Sequence, residues 1–241
     1  IIHSALEMAY TSDMINKNIS NGLQLPKVDK YNAKFLDKNQ LLELAEKAKN
    51  TDIYIPIAIA LYTGMRRGEV LGLSWDNVDL KNKTIYVKQQ LQEIKGELKL
   101  TKPKTDTSTR TVYISQQLVS ILSSYKLEQK KLKLMLGEKY DNNINAVCTY
   151  WNGKLFNPKR FSKKFKKFVK ENGFPDIRFH DLRHSHASLL FSKNVKDKII
   201  SERLGHSSTT TTKEIYTHLY ESDKKNVANI IENLFNEKQV S

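Results

Sequence analysis

The hydrophobic pattern of this chain changes its period twice, and this limits the folds that the chain can adopt. Apolar residues recur at helical spacing up to Leu73 and again from Gln116 onward. Three segments between them are rich in β-branched and aromatic residues or alternate in polarity: 84–94, 97–103 and 110–114. Lys95-Gly96 is a turn signal between the first two segments. The pattern therefore predicts a mainly α-helical domain with a small antiparallel three-stranded β-sheet.

Local signals place the helix ends. Periodicity predicts helices over residues 1–18, 36–49, 53–62, 66–73, 116–137, 160–172, 181–192 and 197–204, with a short one around Tyr216. Asp37, with Gln40 three residues later, has the pattern of a capping box, and Asp181 is a second candidate cap. Gly64 is expected to end the apolar helix that precedes it. A short further strand is predicted at Val147-Cys148.

The chain is expected to have three parts: residues 1–34, 35–221 and 222–241. The first is a helix followed by a linker, since Gly22 and Pro26 interrupt any periodicity. The last is an amphipathic helix, which could dock on its own core or on another copy; its apolar residues are Val227, Ile230, Ile231 and Leu234. The chain begins with Ile1 rather than methionine, so we expect it to be a fragment of a longer protein.

The chain is strongly basic, with 40 Lys and Arg against 26 Asp and Glu and a formal charge of +14. Such an excess favours a polyanionic partner, and charge alone leaves nucleic acid and an anionic membrane surface both open. No apolar run approaches the ~20 residues of a membrane-spanning helix. The single cysteine, Cys148, excludes an internal disulfide and favours an intracellular setting.

A guanidinium and a carboxylate share one helical face in the string TGMRRGEVLGL. Arg66 and Glu69 lie at i and i+3, so the carboxylate could hold one side of the guanidinium and leave the rest to bind a phosphate. A surface ion pair would have the same pattern. Arg67 is the alternative ligand, but Val70 and Leu73 place Arg66 beside the buried stripe and predict that Arg67 is solvated.

A lysine lies in the polar turn KTDTSTR, between the second and third predicted strands. From such a turn Lys104 could reach a leaving oxygen and act as a general acid, particularly if neighbouring cations lower its pKa. Lys102 competes for this role. A solvated turn lysine would look the same.

Two later segments carry histidines in polar settings. In RFHDLRHSHASLL, His180 and Arg183 share a face, which suits proton transfer beside an anion at a helix N-terminus. His180 and His184 also have a metal-binding spacing, but no carboxylate or cysteine completes a ligand set at convincing spacing. His206 follows Gly205 in RLGHSS and could donate to a phosphate oxygen or serve as a structural loop residue.

The stretch TTTTKEIYTHL supplies a candidate nucleophile. The pKa of a free tyrosine is ~10, so its attack on a phosphate needs a proton acceptor and cationic surroundings. Tyr216 and Tyr220 lie one helical turn apart, and both are candidates among the 11 tyrosines of the chain.

In their order along the chain, these segments resemble the tyrosine recombinase family of phage-type integrases. TGMRRGEVLGL, PKTDTSTRTVYI, HDLRHSHASLL and LGHSS with IYTHL match its boxes from about residue 36 to 221. The resemblance implies the catalytic-domain fold of that family, and it assigns catalytic positions to Arg66, Lys104, His180, Arg183, His206 and Tyr216. It favours Tyr216 over Tyr220. It also makes residues 1–34 the terminal helix of a truncated core-binding domain, with its linker.

The resemblance implies a site-specific recombination reaction. Tyr216 would attack a DNA phosphodiester to give a 3′-phosphotyrosyl link and a free 5′-hydroxyl, and a 5′-hydroxyl from another strand would reverse the step. Neither ATP nor a metal is needed, so no cofactor is expected. Arg66 and Arg183 would neutralise the charge of the transition state. Lys104 would protonate the departing oxygen, and His180 would assist proton transfer from the tyrosine.

The same resemblance implies partners and a location. Double-stranded DNA is the expected substrate, bound by a homotetramer on two sites, with possible excision or DNA-bending accessory proteins. In the family the C-terminal helix often packs onto a neighbouring protomer. The expected setting is the bacterial cytoplasm, without a membrane, for a protein of a phage or a conjugative transposon.

The segment NPKRFSKKFKKFVKEN combines an aromatic stripe with a basic face. Phe161, Phe165 and Phe168 fall at i, i+4 and i+7 and predict the buried side. The outward cations, which we expect to contact DNA phosphates, are Lys159, Arg160, Lys163, Lys164, Lys166, Lys167 and Lys170. A helix on a membrane surface would have a similar pattern. Its place between two family boxes favours DNA.

Three other functions stay open on the sequence alone. A nicking and closing enzyme like the type IB topoisomerases would share the chemistry without strand exchange. A non-catalytic DNA-binding regulator would make the six catalytic positions superfluous. A metal-dependent tyrosine nuclease would need a cation for cleavage.

Overall fold

The computed structural model describes residues 2–23, 35–102, 109–141 and 144–205, which contain eight α-helices and five β-strands. The helices are α1 (Ile2–Thr11), α2 (Lys38–Ala48), α3 (Tyr54–Thr63), α4 (Arg67–Leu71), α5 (Gln116–Leu136), α6 (Pro158–Glu171), α7 (Asp181–Ser192) and α8 (Asp197–Leu204). The strands are β1 (Val78–Asp79), β2 (Thr84–Val87), β3 (Gln90–Ile94), β4 (Glu97–Thr101) and β5 (Arg110–Tyr113). The chain divides into two compact units, Ile1–Asn32 and Ala33–Ser241. None of the described helices has the length and apolar character needed to cross a membrane.

The first unit holds α1 and a polar turn. α1 ends at Thr11, well before the predicted residue 18, because Asp13 adopts a left-handed φ of 53° that leaves the helical path. The side chain of Asn18 is buried, accepts hydrogen bonds from the backbone N–H and the hydroxyl of Ser20, and donates to the Glu7 carboxylate. These bonds tie the turn to the helix.

In the second unit, the predicted helix ends are confirmed where a specific residue sets them. α2 begins at a capping box in which Asp37 and Gln40 each accept the other's backbone N–H. α3 is nearly all apolar, and it packs against α2, α4, α5 and α7. Pro56 lies in its first turn, where a helix needs no N–H donor. Gly64 ends α3 with a φ of 68°, as predicted.

The β-rich stretch forms two sheets, so the predicted class is confirmed while the strands are divided differently. β1, β2 and β5 form a three-stranded antiparallel sheet in that order, with Ile85 opposite Val112. β3 and β4 form a separate hairpin. The predicted strand 84–94 is broken before β3, where the side chain of Gln89 donates to the carbonyl oxygen of Gly72 at 2.8 Å.

Two glycines let the backbone of β3 lie directly against α4. A Cβ atom at Gly72 would come within 2.6 Å of the backbone nitrogen of Leu91, and one at Gly68 would lie 3.2 Å from the carbonyl oxygen of Leu91. The hairpin is therefore fixed to the short helix that follows Arg66.

The aromatic stripe of α6 is buried, as predicted. Phe161 and Phe165 are fully buried, and the ring of Phe179 meets both edge-on, with centroids 4.9 and 5.3 Å away. Phe168 completes the buried side. Because Phe179 directly precedes His180, this cluster fixes the start of α7 relative to α6.

The packing around Gly64 predicts a large cost for an added methyl group. A Cβ atom there would lie 2.6 Å from the Leu204 side chain and 2.8 Å from that of His186. We expect Gly64→Ala to lower the free energy of unfolding by about 3 kcal/mol, from left-handed strain and overpacking together. Urea unfolding measures this loss.

Gly173 provides the matched control, since its φ of 75° is also left-handed but nothing lies within 4 Å of a Cβ atom. Gly173→Ala should therefore cost only the backbone strain, about 1 kcal/mol. Equal losses in the two variants would show that crowding at Gly64 does not matter.

Candidate active site

A buried carboxylate occupies the centre of the site. Glu69 lies in the first turn of α4 and is 2% exposed. Its Oε1 accepts from Nη1 of Arg66 at 3.0 Å and from Nη1 of Arg110 at 3.1 Å. Its Oε2 accepts from the backbone nitrogen of Arg66 and from Nη2 of Arg110, both at 2.9 Å. The predicted pairing of Arg66 with Glu69 is therefore present, and Arg110 adds a second guanidinium to it.

The charge of this cluster follows from its contacts. Burial alone would raise the pKa of Glu69, but the hydrogen bond and charge of Arg110, followed by the backbone bond and charge of Arg66, hold that pKa below its ordinary value. The carboxylate is therefore ionised at neutral pH. One negative charge faces two positive charges, so the cluster keeps a net positive charge.

Both guanidiniums also reach the C-terminus of α8. Arg66 donates from Nη2 to the carbonyl oxygen of Gly205, and Arg110 donates from Nε to that of Arg203, both at 2.7 Å. The last carbonyls of a helix have no partner within the helix and carry partial negative charge, so cations suit this position. Gly205 ends α8 with a φ of 67° and leaves room for the Arg110 side chain, which a Cβ atom would approach to 3.0 Å. The residue before His206 is thus bound to Arg66.

The start of α7 lies close to the same cluster. Arg183 is buried and donates from Nη1 to the carbonyl oxygen of Gly64 at 2.9 Å, in the turn that leads to Arg66. His180 directly precedes α7. Asp181, a predicted helix cap, instead accepts from the backbone nitrogen of Arg178 at 2.7 Å and orders the turn before the helix.

His180 has the properties of a proton acceptor. Desolvation, followed by the charges of His184 and Arg183, lowers the pKa of its ring. The residue is partly open to solvent, which weakens these effects but keeps their direction. A neutral imidazole at pH 7 can accept a proton. Its ring meets that of His184 edge-on at 4.9 Å, and within the described residues no three His, Cys, Asp or Glu side chains are placed to hold a metal ion.

A cleft of about 680 Å³ opens beside these groups. Its basic lining residues are Arg66, Arg67, Lys163, Lys166, Arg178 and His180. Gln90 and Gln92 of β3 line it as well, and no acidic residue is among the described residues of its lining. Such a cleft concentrates positive potential and suits an extended anion.

The prediction that Arg67 is solvated is wrong. The residue is half-buried, and Nη1 donates to the hydroxyl of Ser162 on α6. The helical pattern correctly places Arg67 away from the buried stripe of α4. However, α6 packs against α4, so this direction leads to a neighbouring helix rather than to water.

Arg203 anchors α8 to three other elements and was missed by sequence reasoning. It donates from Nη2 to the carbonyl oxygen of Tyr62 at 2.8 Å and from Nη1 to that of Tyr113 at 3.0 Å. Its Nε donates to Nε2 of His186 at 3.2 Å, while Nδ1 of His186 lies 2.8 Å from the carbonyl oxygen of Leu61. The imidazole therefore carries its proton on Nδ1 and accepts on Nε2. Desolvation, followed by the charge of Arg203, lowers the pKa of His186 to about 4.

A sequence signal for these supporting residues exists, although it is weak. Arg110 opens a β-branched strand, and His186 lies next to the apolar residues of α7. A polar side chain in a segment that is otherwise buried needs an internal partner. The partner itself cannot be identified from the pattern.

The structure divides the predicted DNA-binding cations of α6. Lys163 and Lys166 line the cleft. Lys166 also pairs with Asp176, and three cations outside the cleft are paired with carboxylates: Lys159 with Glu93, Lys164 with Asp52 and Lys167 with Glu171. Lys163 and Lys166 are therefore placed with Arg66, whereas Lys164 is held by Asp52, in the loop before α3.

Lys104, His206 and Tyr216 lie outside the described residues, as do Tyr220 and the predicted C-terminal helix. Lys102, the rival of Lys104, is exposed at the end of β4. The structure therefore brings together Arg66, Glu69, His180 and Arg183, and the last residue that it describes, Gly205, directly precedes His206.

The family model described as the Phage integrase family matches residues 34–223. The chain belongs to this family. The suspected family is thereby confirmed, and the match covers every predicted catalytic position.

Curated relatives agree with this assignment. The chain is 31% identical over 207 residues to a tyrosine recombinase XerC-like protein of Caldanaerobacter subterraneus, an alignment that covers 81% of this chain and 53% of the relative. It is 36% identical over 179 residues to the ICEBs1 integrase of Bacillus subtilis, covering 73% of this chain and 47% of the relative. The chain thus spans about half the length of these curated relatives.

Solved structures show the same fold. The Tn1549 transposon integrase in complex with transposon right end DNA superposes with a TM-score of 0.77 at 21% identity, covering 94% of this chain and 76% of that one. The XerA recombinase gives a TM-score of 0.62 at 24% identity, covering 94% of this chain and 72% of that one. The predicted catalytic-domain fold of the phage integrase family is confirmed.

Removal of the central carboxylate charge should destabilise the protein. Glu69→Gln would leave Arg110, whose side chain is 7% exposed, without its counter-ion. Loss of one partner of a buried pair costs about 3 kcal/mol or more, so we expect a loss of that size in urea unfolding. Glu97→Gln is the control, because the Glu97–Lys99 pair is exposed and should contribute less than about 1 kcal/mol. Similar losses in both variants would contradict the central role of Glu69.

The burial of His186, next to the charge of Arg203, predicts a pH dependence of stability. His186 titrates near 4 in the folded protein and near its ordinary 6.5 when unfolded, so the unfolded state binds more protons between these values. The free energy of unfolding should therefore fall as the pH is lowered from about 6.5 towards 4, by at most about 3 kcal/mol from this residue.

Urea unfolding across that pH range checks this expectation. His186→Asn should lose most of the slope that the residue contributes. His180→Asn is the control, because solvent screens the more exposed His180 and its removal should change the slope less. An unchanged slope in His186→Asn would refute the assignment.

Proposed function

We propose that this chain is the catalytic part of a site-specific DNA recombinase, which cleaves and rejoins DNA strands through a 3′-phosphotyrosyl intermediate to integrate and excise a mobile element. Two findings support the proposal. The chain belongs to the phage integrase family. Its second unit also has a basic cleft beside a fixed arginine.

The position of Arg66 is the observation that carries the proposal. Its guanidinium is held on one side by Glu69 and on another by the carbonyl oxygen of Gly205. Its side chain is still about one-third exposed and lines the cleft. A cation that is fixed before the substrate arrives needs no reorganisation when charge develops on a phosphate, and one such donor is typically worth about 3 kcal/mol of the barrier.

Arg183 would add a second positive charge from within the protein. It is buried against the turn of Gly64, where the low dielectric strengthens its field at the cleft. Both arginines would stabilise the pentacoordinate phosphate. His206, directly after the bound Gly205, would donate to one of its oxygens.

Proton transfer would involve His180, Tyr216 and Lys104. His180 lines the cleft, and its lowered pKa leaves the ring neutral at pH 7, so it would serve as a weak base that accepts the proton of the attacking Tyr216 hydroxyl. Lys104 would protonate the departing 5′-oxygen. The tyrosine becomes bonded to the 3′-phosphate and the 5′-hydroxyl leaves, so one ester bond replaces another and no energy source is consumed.

Double-stranded DNA is the substrate that this arrangement suits. The cations of the cleft would hold phosphates of the cleaved strand, chiefly through Lys163 and Lys166. The paired cations of α6 that lie outside the cleft, Lys159, Lys164 and Lys167, would contribute less. We further propose assembly as a tetramer on two sites, in which residues 222–241 pack on a neighbouring protomer, with accessory proteins that bend DNA or promote excision. The amphipathic pattern of that segment is the support for the exchange.

The nucleophile can be tested on a nicked suicide duplex selected by binding from a randomised pool. The wild-type chain should form a covalent adduct that Tyr216→Phe does not form, while the affinity for DNA stays within a fewfold. Tyr220→Phe, four residues later, should still form the adduct. A covalent adduct in Tyr216→Phe would contradict the proposed nucleophile.

Assays on closed circular DNA separate recombination from topoisomerase activity. The proposal expects exchange between two sites. Relaxation of supercoils without strand exchange would contradict the recombinase proposal and favour a nicking and closing enzyme.

A further inference from the structure

Arg67 is a half-buried cation without an ion-pair partner among the described residues. The nearby arginines form ion pairs: Arg66 and Arg110 pair with Glu69, and Arg178 pairs with Asp181. No described carboxylate forms such a pair with Arg67, and its Nε is buried without a hydrogen-bond partner within the described residues. Burial lowers the pKa of this guanidinium, which nevertheless stays charged at neutral pH. A half-buried positive charge without a counter-ion lowers the stability of the free protein unless a bound anion pairs with it.

The surroundings of Arg67 are those of an anion site. Its Nη1 donates to the hydroxyl of Ser162, which fixes the planar group against α6. Arg67, Ser162, Lys163 and Lys166 all line the same cleft as Arg66, and none of the described lining residues is acidic. A planar guanidinium that is held in place at the wall of the cleft matches the oxygens of a phosphate.

The backbone separates Arg67 from the catalytic position. Arg66 lies before α4 and turns towards Glu69 and Gly205, whereas Arg67 is the first residue of α4 and turns towards α6. Two consecutive arginines therefore enter one cleft in different directions. They are suited to two different phosphates rather than to one.

We propose that Arg67, oriented by Ser162, binds a DNA phosphate next to the scissile one on the same strand. This inference rests on the proposed function, because it takes DNA as the occupant of the cleft. Arg67 then acts as a positioning contact that sets the strand relative to Arg66. It is separate from the residues that stabilise the reacting phosphate.

The salt dependence of binding tests the contact directly. Each neutralised phosphate contributes about 0.9 to the slope of log K against log salt, measured here with a mixed-sequence duplex of about 30 base pairs. Arg67→Met should reduce the slope by about one unit, whereas Arg67→Lys should keep it. Lys49→Met is the control, since it removes one charge from a lysine that pairs with Glu46 at the end of α2 and is not among the residues that line the cleft. Its slope should stay close to that of the wild type.

Thermal unfolding of the same variants separates a phosphate contact from a structural role. Because no carboxylate among the described residues pairs with Arg67, Arg67→Met should leave the unfolding midpoint unchanged or raise it. Ser162→Ala, which keeps the charge, should retain the salt slope. A lower midpoint in Arg67→Met together with an unchanged slope would show that Arg67 only joins α4 to α6, and the inference would fail.

The adduct assay distinguishes this failure from failure of the proposed function. If the wild type forms the Tyr216 adduct and Arg67→Met keeps the wild-type slope, only the phosphate contact is wrong. If Arg67→Met reduces the slope by about one unit and the wild type forms no adduct on any selected duplex, Arg67 still contacts a DNA phosphate, but the recombinase proposal fails.

Discussion

The site depends on one carboxylate that is shared by two guanidiniums. Without Glu69, the charges of Arg66 and Arg110 would face each other across a buried space, and like charges at such distances repel strongly where the dielectric is low. With it, α4, β5 and the end of α8 are joined at one point. The carboxylate neutralises only one of the two charges. The geometry of the site and its surplus of positive charge therefore have the same origin.

Arginines also bind the carbonyl oxygens at the C-termini of two helices. The carbonyls at the end of α3 accept from Arg183 and Arg203, and those at the end of α8 accept from Arg66 and Arg110. Each helix end would otherwise bury unpaired acceptors beside other negative dipoles. Four arginines thus satisfy backbone carbonyls of the fold while they add positive charge near the cleft, which Arg66 lines. A substitution at any of them is expected to change both the stability of the fold and this charge.

Whether the sequence predicts a contact of this site depends on how far apart in the chain its two residues lie. The Arg66–Glu69 pair, the capping box at Asp37 and the aromatic stripe of α6 are local, so spacing along one helix was sufficient. Arg110 and Arg203 bond to backbone carbonyls far away in the chain, and no spacing reveals such partners. The error at Arg67 has the same cause, because helical periodicity describes one helix and not the helix beside it. Lys104, His206 and Tyr216 rest on the family resemblance alone.

The contact between Gly72 and β3 has a consequence for how such chains can diverge. The turn at Lys95-Gly96 can change in length, because it is the exposed tip of the hairpin and nothing lies within 4 Å of a Cβ atom at Gly96. The base of the hairpin has no such freedom, since any side chain at Gly72 would strike the backbone of Leu91. The outer end of the hairpin can therefore change during evolution, while its packed base keeps α4 and Arg66 in place.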